Sequence, residues 1–194
     1  MRKSKISRDS NETKIKCAVN LDGSGKYKIK TPIGFLSHML ELFSKHSLID
    51  LEIETKGDLN VDQHHTVEDV GIVLGKTILD ALGDMKGINR AGYFIMPMDE
   101  SLAIVAMDIS GRPYLSFDAE FKSQRQGEFS TDLVEEFFRA VANSLKANIH
   151  MKSEGKNDHH KIEALFKAFA KAMKTAVSKD GRLKELPSTK GLLD

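Results

Sequence analysis

The sequence predicts an α+β fold of two internally duplicated halves, each an antiparallel sheet with two helices on one face. The motif HHxxE begins at His64 and begins again at His159, 95 positions later. The apolar stripe of the helix after each motif shifts by the same interval, which indicates duplication of one unit. In the first half this stripe comprises Val70, Val73, Leu74, Ile78 and Ala81, and in the second half Leu165, Ala168, Phe169, Met173 and Ala176.

The first half is predicted to contain a hairpin, a helix, a strand and a second helix. Alternating apolar residues over 13–21 precede a glycine-rich turn and another alternating stretch up to residue 30, which predicts the hairpin. Helical spacing of apolar residues predicts a helix over 34–46, and alternation predicts a strand over 48–57. A second amphipathic helix is predicted over 66–83 and ends at Gly83.

The second half repeats this order. A hairpin is predicted over 101–117, a helix over 130–145, a strand over 146–155 and a helix over 159–177. We place the halves at 1–88 and 89–194, together forming one domain, because the turn-rich segment 84–92 is the best candidate for the joint.

Composition favours small-molecule chemistry. A net charge of +1, from 29 basic and 28 acidic residues, gives no indication of nucleic-acid binding. The single Cys17 cannot form an internal disulfide, which is typical of a reducing compartment. No segment approaches the ~18 apolar residues of a membrane span. We therefore expect a cytoplasmic protein that binds neither membrane nor nucleic acid.

The HHxxE motif is a candidate metal-ligand set. In a helix, His64 and Glu68 share one face, whereas His65 points about 100° away, so one motif could serve two metal ions. The second motif repeats this arrangement. Imidazole and carboxylate ligands suit Mn, Fe, Zn, Co or Ni, and the lack of thiolates argues against a structural zinc site. The alternative is that these side chains only cap helices.

Two further histidines could join such sites. His150 lies on the polar side of the strand predicted over 146–155, nine residues before His159. His38 lies near the start of the helix predicted over 34–46. By contrast, His46 at the end of that helix is better explained by a favourable interaction with the helix dipole.

Several motifs together resemble the imidazoleglycerol-phosphate dehydratase family. The resemblance runs through almost the whole chain, from NETKI near residue 11 to PSTKG at 187–191. Motifs in this order and at matching spacing are highly specific, so we expect the fold and the lyase activity of that family. The motifs between these ends are GFLSHML, GDLNVDQHHTVEDVGIVLG, PMDESLA, DISGRPYLSF, DLVEEFF and NDHHKIEALFKAFAKA.

The resemblance implies a metal cofactor and an oligomer. It implies two Mn²⁺ ions per active site, with sites formed between neighbouring subunits of a homo-oligomer, 24 chains built from trimers. Which ligands share an ion stays open. The ligands that the resemblance implies are His38, His64, His65, Glu68, His150, His159, His160 and Glu163.

The implied reaction is the dehydration of D-erythro-imidazole glycerol phosphate to imidazole acetol phosphate in histidine biosynthesis. It is difficult because a weakly acidic C–H proton must leave and hydroxide is a poor leaving group. Metal ions that bind the imidazole nitrogens would stabilise an imidazolate, whose electrons can expel the hydroxyl group. For proton transfer the resemblance nominates Glu12, with Glu163 as a ligand that could share the role and Asp99 and Asp108 as residues that hold groups nearby.

The substrate phosphate requires basic and hydroxyl partners. The resemblance implies that Glu12 contacts the substrate and that Arg90, Arg112, Lys167, Ser188, Thr189 and Lys190 bind the phosphate. From local sequence alone, a hairpin turn, a solvated helix surface and a loose tail would explain these positions equally well. Two residues depart from the family pattern. Ser37 stands where an Asp beside His38 is common, and Leu42 stands where a Gln often supports substrate binding.

Two other functions are compatible with the residues. A binuclear metallohydrolase could cleave a phosphate ester, although such sites usually draw more on Asp. Alternatively, the metal could only fasten an oligomer. That hypothesis predicts metal-dependent assembly without any need for a phosphate pocket or for Glu12.

Overall fold

A computed structural model describes residues 2–193 and contains two four-stranded sheets with the same strand order. The first sheet has the order β1-β2-β4-β3 and the second β5-β6-β10-β7, with a small hairpin, β8 and β9, beside them. The strands are β1 (Lys3–Asp9), β2 (Thr13–Asn20), β3 (Tyr27–Lys30), β4 (Asp50–Gly57), β5 (Ala91–Met98), β6 (Ser101–Asp108), β7 (Tyr114–Asp118), β8 (Arg125–Gln126), β9 (Phe129–Ser130) and β10 (Asn148–Glu154).

Four helices lie between the two sheets. They are α1 (Gly34–Ser47), α2 (His64–Leu82), α3 (Leu133–Leu145) and α4 (Asp158–Val177). Helices α1 and α2 pack on the first sheet, and α3 and α4 pack on the second. Because α1 also contacts α4 and α2 contacts α3, the two halves share one core. The predicted α+β fold with duplicated halves is confirmed, and both predicted apolar stripes are buried.

The helix ends follow from local residues. Asn157 caps α4 by accepting the backbone N–H groups of His159 and His160. At the other ends, Leu48 after α1 and Lys146 after α3 both take the left-handed conformation that closes a helix. The chain therefore turns directly from each of these helices into β4 or β10.

Helices α2 and α3 approach each other closely because two glycines of α2 face α3. A Cβ atom on Gly71 would lie 2.7 Å from the carbonyl oxygen of Phe137 and 2.8 Å from Cβ of Ala140. A Cβ atom on Gly75 would lie 2.9 Å from Cβ of Ser144. Only glycine permits this spacing without a backbone shift.

Both predicted hairpins were wrong. Strand β2 pairs with β1 and β4, whereas β3 lies parallel to β4 at the sheet edge, and β7 likewise lies parallel to β10. Each sheet is thus antiparallel over three strands and parallel at the fourth. The longer β4 takes the place beside β2 because its alternate residues extend the buried face. Strand β1 is hard to recognise in sequence because Ile6 is its single strongly apolar residue.

The joint between the halves lies against the second half. Ile88 is fully buried and forms an isolated β-bridge with Lys179. The boundary between residues 88 and 89 stays a prediction. Within residues 2–193, no helix is long and apolar enough to cross a membrane.

Candidate metal centre and phosphate pocket

Helices from the two halves together form a cluster of two histidines and one glutamate. His38 on α1 places Nε2 3.0 Å from Oε1 of Glu163 on α4, and Nε2 of His159 lies 2.9 Å from the same oxygen. The ring of Phe35 packs edge-on against His159, with 5.3 Å between ring centroids. The packing of α1 against α4 therefore assembles this cluster, so neither half contains it alone.

Glu163 is ionised in this setting. Burial raises the pKa of Glu163, but hydrogen bonds with Lys167, His38 and His159 outweigh burial and lower its pKa to about 2. Lys167 donates to Oε2 of Glu163 at 2.7 Å and lies 3.2 Å from Sδ of Met98. Lys167, predicted to bind phosphate, thus contacts the cluster rather than the pocket described below.

The donor set fits a divalent cation. One ligand atom from each of His38, His159 and Glu163 lies within 4.8 Å of the other two, and no other such group occurs among residues 2–193. Two imidazole nitrogens and a carboxylate suit Mn, Fe, Zn, Co or Ni. The exposed edges of both histidines leave room for further ligands or substrate.

Fewer candidate ligands meet at the first HHxxE motif than at the second. Nε2 of His64 lies 4.0 Å from Oε2 of Glu68, and both side chains are nearly half exposed. No third ligand lies within reach among the described residues. The predicted pairing of these residues on one helix face is nevertheless present, because they are four residues apart in α2.

The second histidine of each motif contacts two carboxylates. Nδ1 of His65 lies 3.0 Å from Oδ2 of Asp58, and its Nε2 lies 3.8 Å from Oε1 of Glu12. In the second half, Nδ1 of His160 lies 2.8 Å from Oε2 of Glu100, and its Nε2 lies 3.8 Å from Oδ2 of Asp99. The predicted acids Glu12 and Asp99 therefore both lie beside the Nε2 atoms of candidate ligands.

These carboxylates shift the pKa of their partners. The hydrogen bond with Asp58 raises the pKa of His65, and the hydrogen bond with Glu100 raises the pKa of His160. Reciprocally, His160 and the backbone N–H of Asn157 lower the pKa of Glu100 to about 2. Asp58 and Glu100 were not predicted as site residues: both lie in motifs that carry the family resemblance, but outside HHxxE.

His150 lies apart from both clusters. It is exposed on the outer face of the second sheet, where its ring lies 5.8 Å from that of Tyr114 between centroids. Helix α4, with its cluster, packs on the opposite face of that sheet. Within one chain, His150 therefore does not join His159, although the two are close in sequence.

A basic pocket of about 480 Å³ lies at the other end of the second sheet. Of the predicted phosphate-binding residues, all except Lys167 line it. Asp108 forms two hydrogen bonds with Arg90, 2.6 Å to Nε and 2.8 Å to Nη2, and the carbonyl oxygen of Pro187 accepts a third from Nη1. The lining residues that carry charge or hydroxyl groups are Arg90, Ser110, Arg112, Ser188, Thr189 and Lys190.

The two residues that depart from the family pattern do not contact the cluster. The hydroxyl group of Ser37 lies 2.9 Å from that of Thr31, in the loop before α1. Leu42 is partly buried and packs against the apolar core. Neither residue approaches His38 in the way that a supporting carboxylate or amide would.

The fold and these two features define an α+β protein with a candidate metal site and a separate basic pocket. The model of one protein family, described as imidazoleglycerol-phosphate dehydratase, matches residues 31–173. The chain therefore belongs to the imidazoleglycerol-phosphate dehydratase family, whose enzymes serve histidine biosynthesis.

Individual relatives agree along nearly their whole lengths. The chain is 55% identical to the imidazoleglycerol-phosphate dehydratase of Acetivibrio thermocellus, over 99% of both chains, and 55% identical to that of Methanosarcina mazei, over 100% of both. The crystal structure of the Staphylococcus aureus enzyme aligns with a TM-score of 0.83 at 42% identity. That alignment covers 92% of this chain and 99% of the other. The IGPD structure from Pyrococcus furiosus aligns at 0.82 and 36% identity, over 97% and 100%.

Proposed function

We propose that this cytoplasmic enzyme removes water from D-erythro-imidazole glycerol phosphate and yields imidazole acetol phosphate. The observation that carries the proposal is the cluster of His38, His159 and Glu163, which offers a cation site. The basic pocket around Arg90 adds a site for the substrate phosphate. A metal that only fastened subunits would not require that pocket.

Two Mn²⁺ ions per active site complete the proposal. His38, His159 and Glu163 would hold one ion, and His64, His65, Glu68, His150 and His160 complete the set of ligands. When bound, Mn²⁺ would supply the Lewis acidity that favours the imidazolate form of the substrate ring. Because its pKa is lowered to about 2, Glu163 is negatively charged at neutral pH, which favours binding of a cation by the cluster.

The other residues bind substrate and move protons. Arg90 and Arg112 would bind the phosphate together with Ser188, Thr189 and Lys190, and Asp108 holds the Arg90 guanidinium in place. Glu12 is half exposed beside His65, so its carboxylate is accessible to exchange a proton with bound substrate. Asp99 lies 3.8 Å from Nε2 of His160, the distance that separates Glu12 from Nε2 of His65, and would orient the substrate or a water molecule there.

The complete active site requires more than one chain. His160 lies at the turn of the β5–β6 hairpin, whereas Arg90 and Asp108 lie at its open end, a strand length of roughly 25 Å away. Helix α4 supports this estimate, because His159 is in its first turn and the carbonyl oxygen of Ala176, near its end, accepts the N–H of Arg90. A glycerol chain cannot span that distance, so cation cluster and phosphate pocket would come from different chains.

The outer face of the second sheet is the best candidate for contact with another chain. Tyr93 and Tyr114 are 75% and 57% exposed there, and Ile95 and Ile104 are 54% and 42% exposed. Such a contiguous apolar surface is typical of an interface. His150 projects from the same face, so it would reach a ligand site only in an assembly. We propose a homo-oligomer of 24 chains built from trimers.

Turnover with defined metal content tests the proposed reaction. Protein stripped with a chelator would be assayed with imidazole glycerol phosphate before and after addition of Mn²⁺, and released phosphate would be followed in parallel. We expect imidazole acetol phosphate to form only after Mn²⁺ is restored, without phosphate release. The variant Glu12→Gln should assemble and bind Mn²⁺ normally but lose turnover.

Other results would replace the proposal. Phosphate release by the restored enzyme would identify a hydrolase. Metal-dependent assembly without conversion of the substrate would show that the HHxxE motifs only fasten subunits. Full turnover by Glu12→Gln, with Glu54→Gln on the outer face of the first sheet as control, would exclude Glu12 from proton transfer.

A further inference from the structure

The rings of His65 and His160 are held in the same way. In each, Nδ1 lies within hydrogen-bond distance of a carboxylate, Asp58 at 3.0 Å and Glu100 at 2.8 Å. Nε2 lies 3.8 Å from a second carboxylate, Glu12 for His65 and Asp99 for His160. A carboxylate can only accept, so Nδ1 must carry the hydrogen of this bond. In the neutral ring that choice leaves the lone pair on Nε2, where a metal ion can bind.

The two supporting carboxylates are not copies of each other. The pairing of β4 with β2 and of β10 with β6 aligns Gly57 with residue 155, so the position after it, Asp58, aligns with Lys156. The hairpin of β1 and β2 aligns with that of β5 and β6 at an interval of 88 residues. Glu100 therefore corresponds to Glu12 and not to Asp58. The histidines are thus repeated, whereas their partners come from different elements in the two halves.

Further hydrogen bonds hold the carboxylate of Glu100 and the backbone of Asp58. Oε1 of Glu100 accepts the N–H groups of Asn157 at 2.7 Å and Lys156 at 3.2 Å, which leaves Oε2 for the histidine. The backbone N–H of Asp58 donates to the carbonyl oxygen of Glu12 at 3.1 Å, and the carbonyl oxygen of Asp58 accepts the N–H of Val61 at 2.8 Å. Asp58 thus connects His65 with the turn that carries Glu12. Glu100 connects His160 with the turn that carries Asp99.

We propose that Asp58 and Glu100 are positioning residues that set the tautomer and ring orientation of His65 and His160 for binding a divalent cation. This inference rests on the proposed metal-dependent function. Two unrelated carboxylates in equivalent roles indicate that the orientation of the second histidine matters in both halves. Partners of this kind commonly change metal affinity by about 10–100-fold when they are removed.

The variant Glu100→Gln gives the sharpest test. Because two backbone N–H groups hold the first oxygen of residue 100, the amide NH₂ would take the place of Oε2 and face Nδ1 of His160. An NH₂ group donates, so it would move the ring hydrogen to Nε2 without removing the loop contacts. Glu154→Gln, at the exposed end of β10, removes the same charge without contacting a histidine and serves as the matched control.

Two readouts separate positioning from a general loss of structure. In chelator-stripped protein, Mn²⁺ titration followed by the electron paramagnetic resonance of the free ion should show about 10–100-fold weaker binding for Glu100→Gln at one class of site. Long-range ¹H–¹⁵N spectra of the metal-free protein at one alkaline pH should show that the His160 ring hydrogen has moved from Nδ1 to Nε2. Glu154→Gln should change neither.

The first half is tested with a graded pair. Asp58→Ala should weaken Mn²⁺ binding by about 10–100-fold, and Asp58→Asn, which can still accept from Nδ1, should restore part of the affinity. Asp62→Asn, in the same loop, is the control for loss of charge, because Asp62 accepts the backbone N–H of His64 and acts on the His65 ring through its charge, not through a hydrogen bond. Unchanged Mn²⁺ binding and unchanged tautomers in Glu100→Gln and Asp58→Ala would overturn the inference. A wild-type protein that binds no Mn²⁺ would instead overturn the proposed function itself.

Discussion

The outer faces of the two sheets have opposite character although their strands have the same arrangement. Lys3 pairs with Asn20 in the first hairpin, and Ala91 pairs with Asp108 in the second, both 88 positions later. Residues at matching places on the outer faces can therefore be compared directly. Lys5, Ser7 and Lys16 in the first half correspond to Tyr93, Ile95 and Ile104 in the second.

The difference shows which parts of a duplicated unit are free to diverge. The inner faces must bury apolar residues against the helices, and they do so in both halves, as with Ile15 and Val19 in β2 and Ala103 and Met107 in β6. The outer faces carry no such requirement within one chain. One has become charged and the other apolar, which we interpret as one face for solvent and one for another subunit.

The largest expected effect compares the two HHxxE motifs. Only the second is joined by His38 within one chain, yet the proposed function requires both. We expect Glu68→Gln and Glu163→Gln each to lower kcat/KM by about 1,000-fold, more than the 10–100-fold typical of a residue that only supports a ligand. Steady-state kinetics at saturating Mn²⁺, with Glu54→Gln as control, measure this. Near-normal activity of Glu68→Gln would show that the halves are unequal in function.

The next effect compares the starts of α4 and α2. Lys161 forms a buried ion pair with Asp158 at 2.6 Å, whereas Thr66, 95 positions before Lys161, is buried without charge. Lys161→Met should lower the free energy of unfolding by about 3 kcal/mol because it leaves a buried carboxylate unpaired. Thr66→Val should cost less than about 1 kcal/mol, since the hydroxyl has no hydrogen-bond partner among residues 2–193. Chemical denaturation measures both, and equal losses would contradict this account.

A third prediction converts the second outer face toward the first. Ile104→Lys places the residue found at the matching position Lys16 into the apolar face. Burying its ammonium group at an interface should weaken assembly at least tenfold, or by about 1.4 kcal/mol. Analytical ultracentrifugation over a range of concentrations would show smaller species, while Lys16→Gln should leave assembly unchanged. An intact assembly of Ile104→Lys would exclude this face as the interface.

The smallest effect concerns acid. Asp50 at the start of β4 corresponds to Asn148 at the start of β10. Burial raises the pKa of Asp50, but hydrogen bonds with the backbone N–H groups of Ser24 and Lys26 and with Asn20 outweigh burial, so the pKa lies below the usual value of an aspartate. The stability that this carboxylate contributes is therefore present above pH ~4 and is lost as pH falls through its lowered pKa.

Asp50→Asn should accordingly cost about 1 kcal/mol at pH 7 and progressively less below pH ~4. Asn148→Ala should cost a similar amount at every pH, because the amide of Asn148 donates to Ser110 and to the Arg112 carbonyl oxygen and does not titrate. Urea denaturation at a series of pH values distinguishes the two. A loss for Asp50→Asn that does not vary with pH would show that its carboxylate is not the acid-sensitive group.

The sequence alone predicts the helices well and the strand pairing poorly. All four helices were predicted because their apolar stripes are long and periodic, and Gly83 marks one end. Strand pairing depends on which strand buries more surface, and this cannot be read from short alternating segments. The structure therefore pairs β2 with β4, where the sequence predicts pairing of β2 with β3. The correspondence of β1 with β5 could not be predicted either, because β1 is mostly polar and β5 is mostly apolar.

The candidate site divides along similar lines. The HHxxE spacing predicts which side chains share a helix face, and the structure places them so. It does not indicate that His38 crosses from the other half to meet Glu163, or that Asp58 and Glu100 hold the second histidines. Those contacts depend on helix packing and loop geometry. His150 and His159 are a further example, because they are close in sequence but lie on opposite sides of the second sheet.

The close contact of α2 with α3 has a consequence for the history of the chain. There is no room for a side chain between Gly71 or Gly75 and α3. A larger residue at either position in the first half would therefore require a compensating change in the second half. Sequences that began as copies are no longer free to drift separately. Selection on the sequence of each half therefore depends on the sequence of the other half.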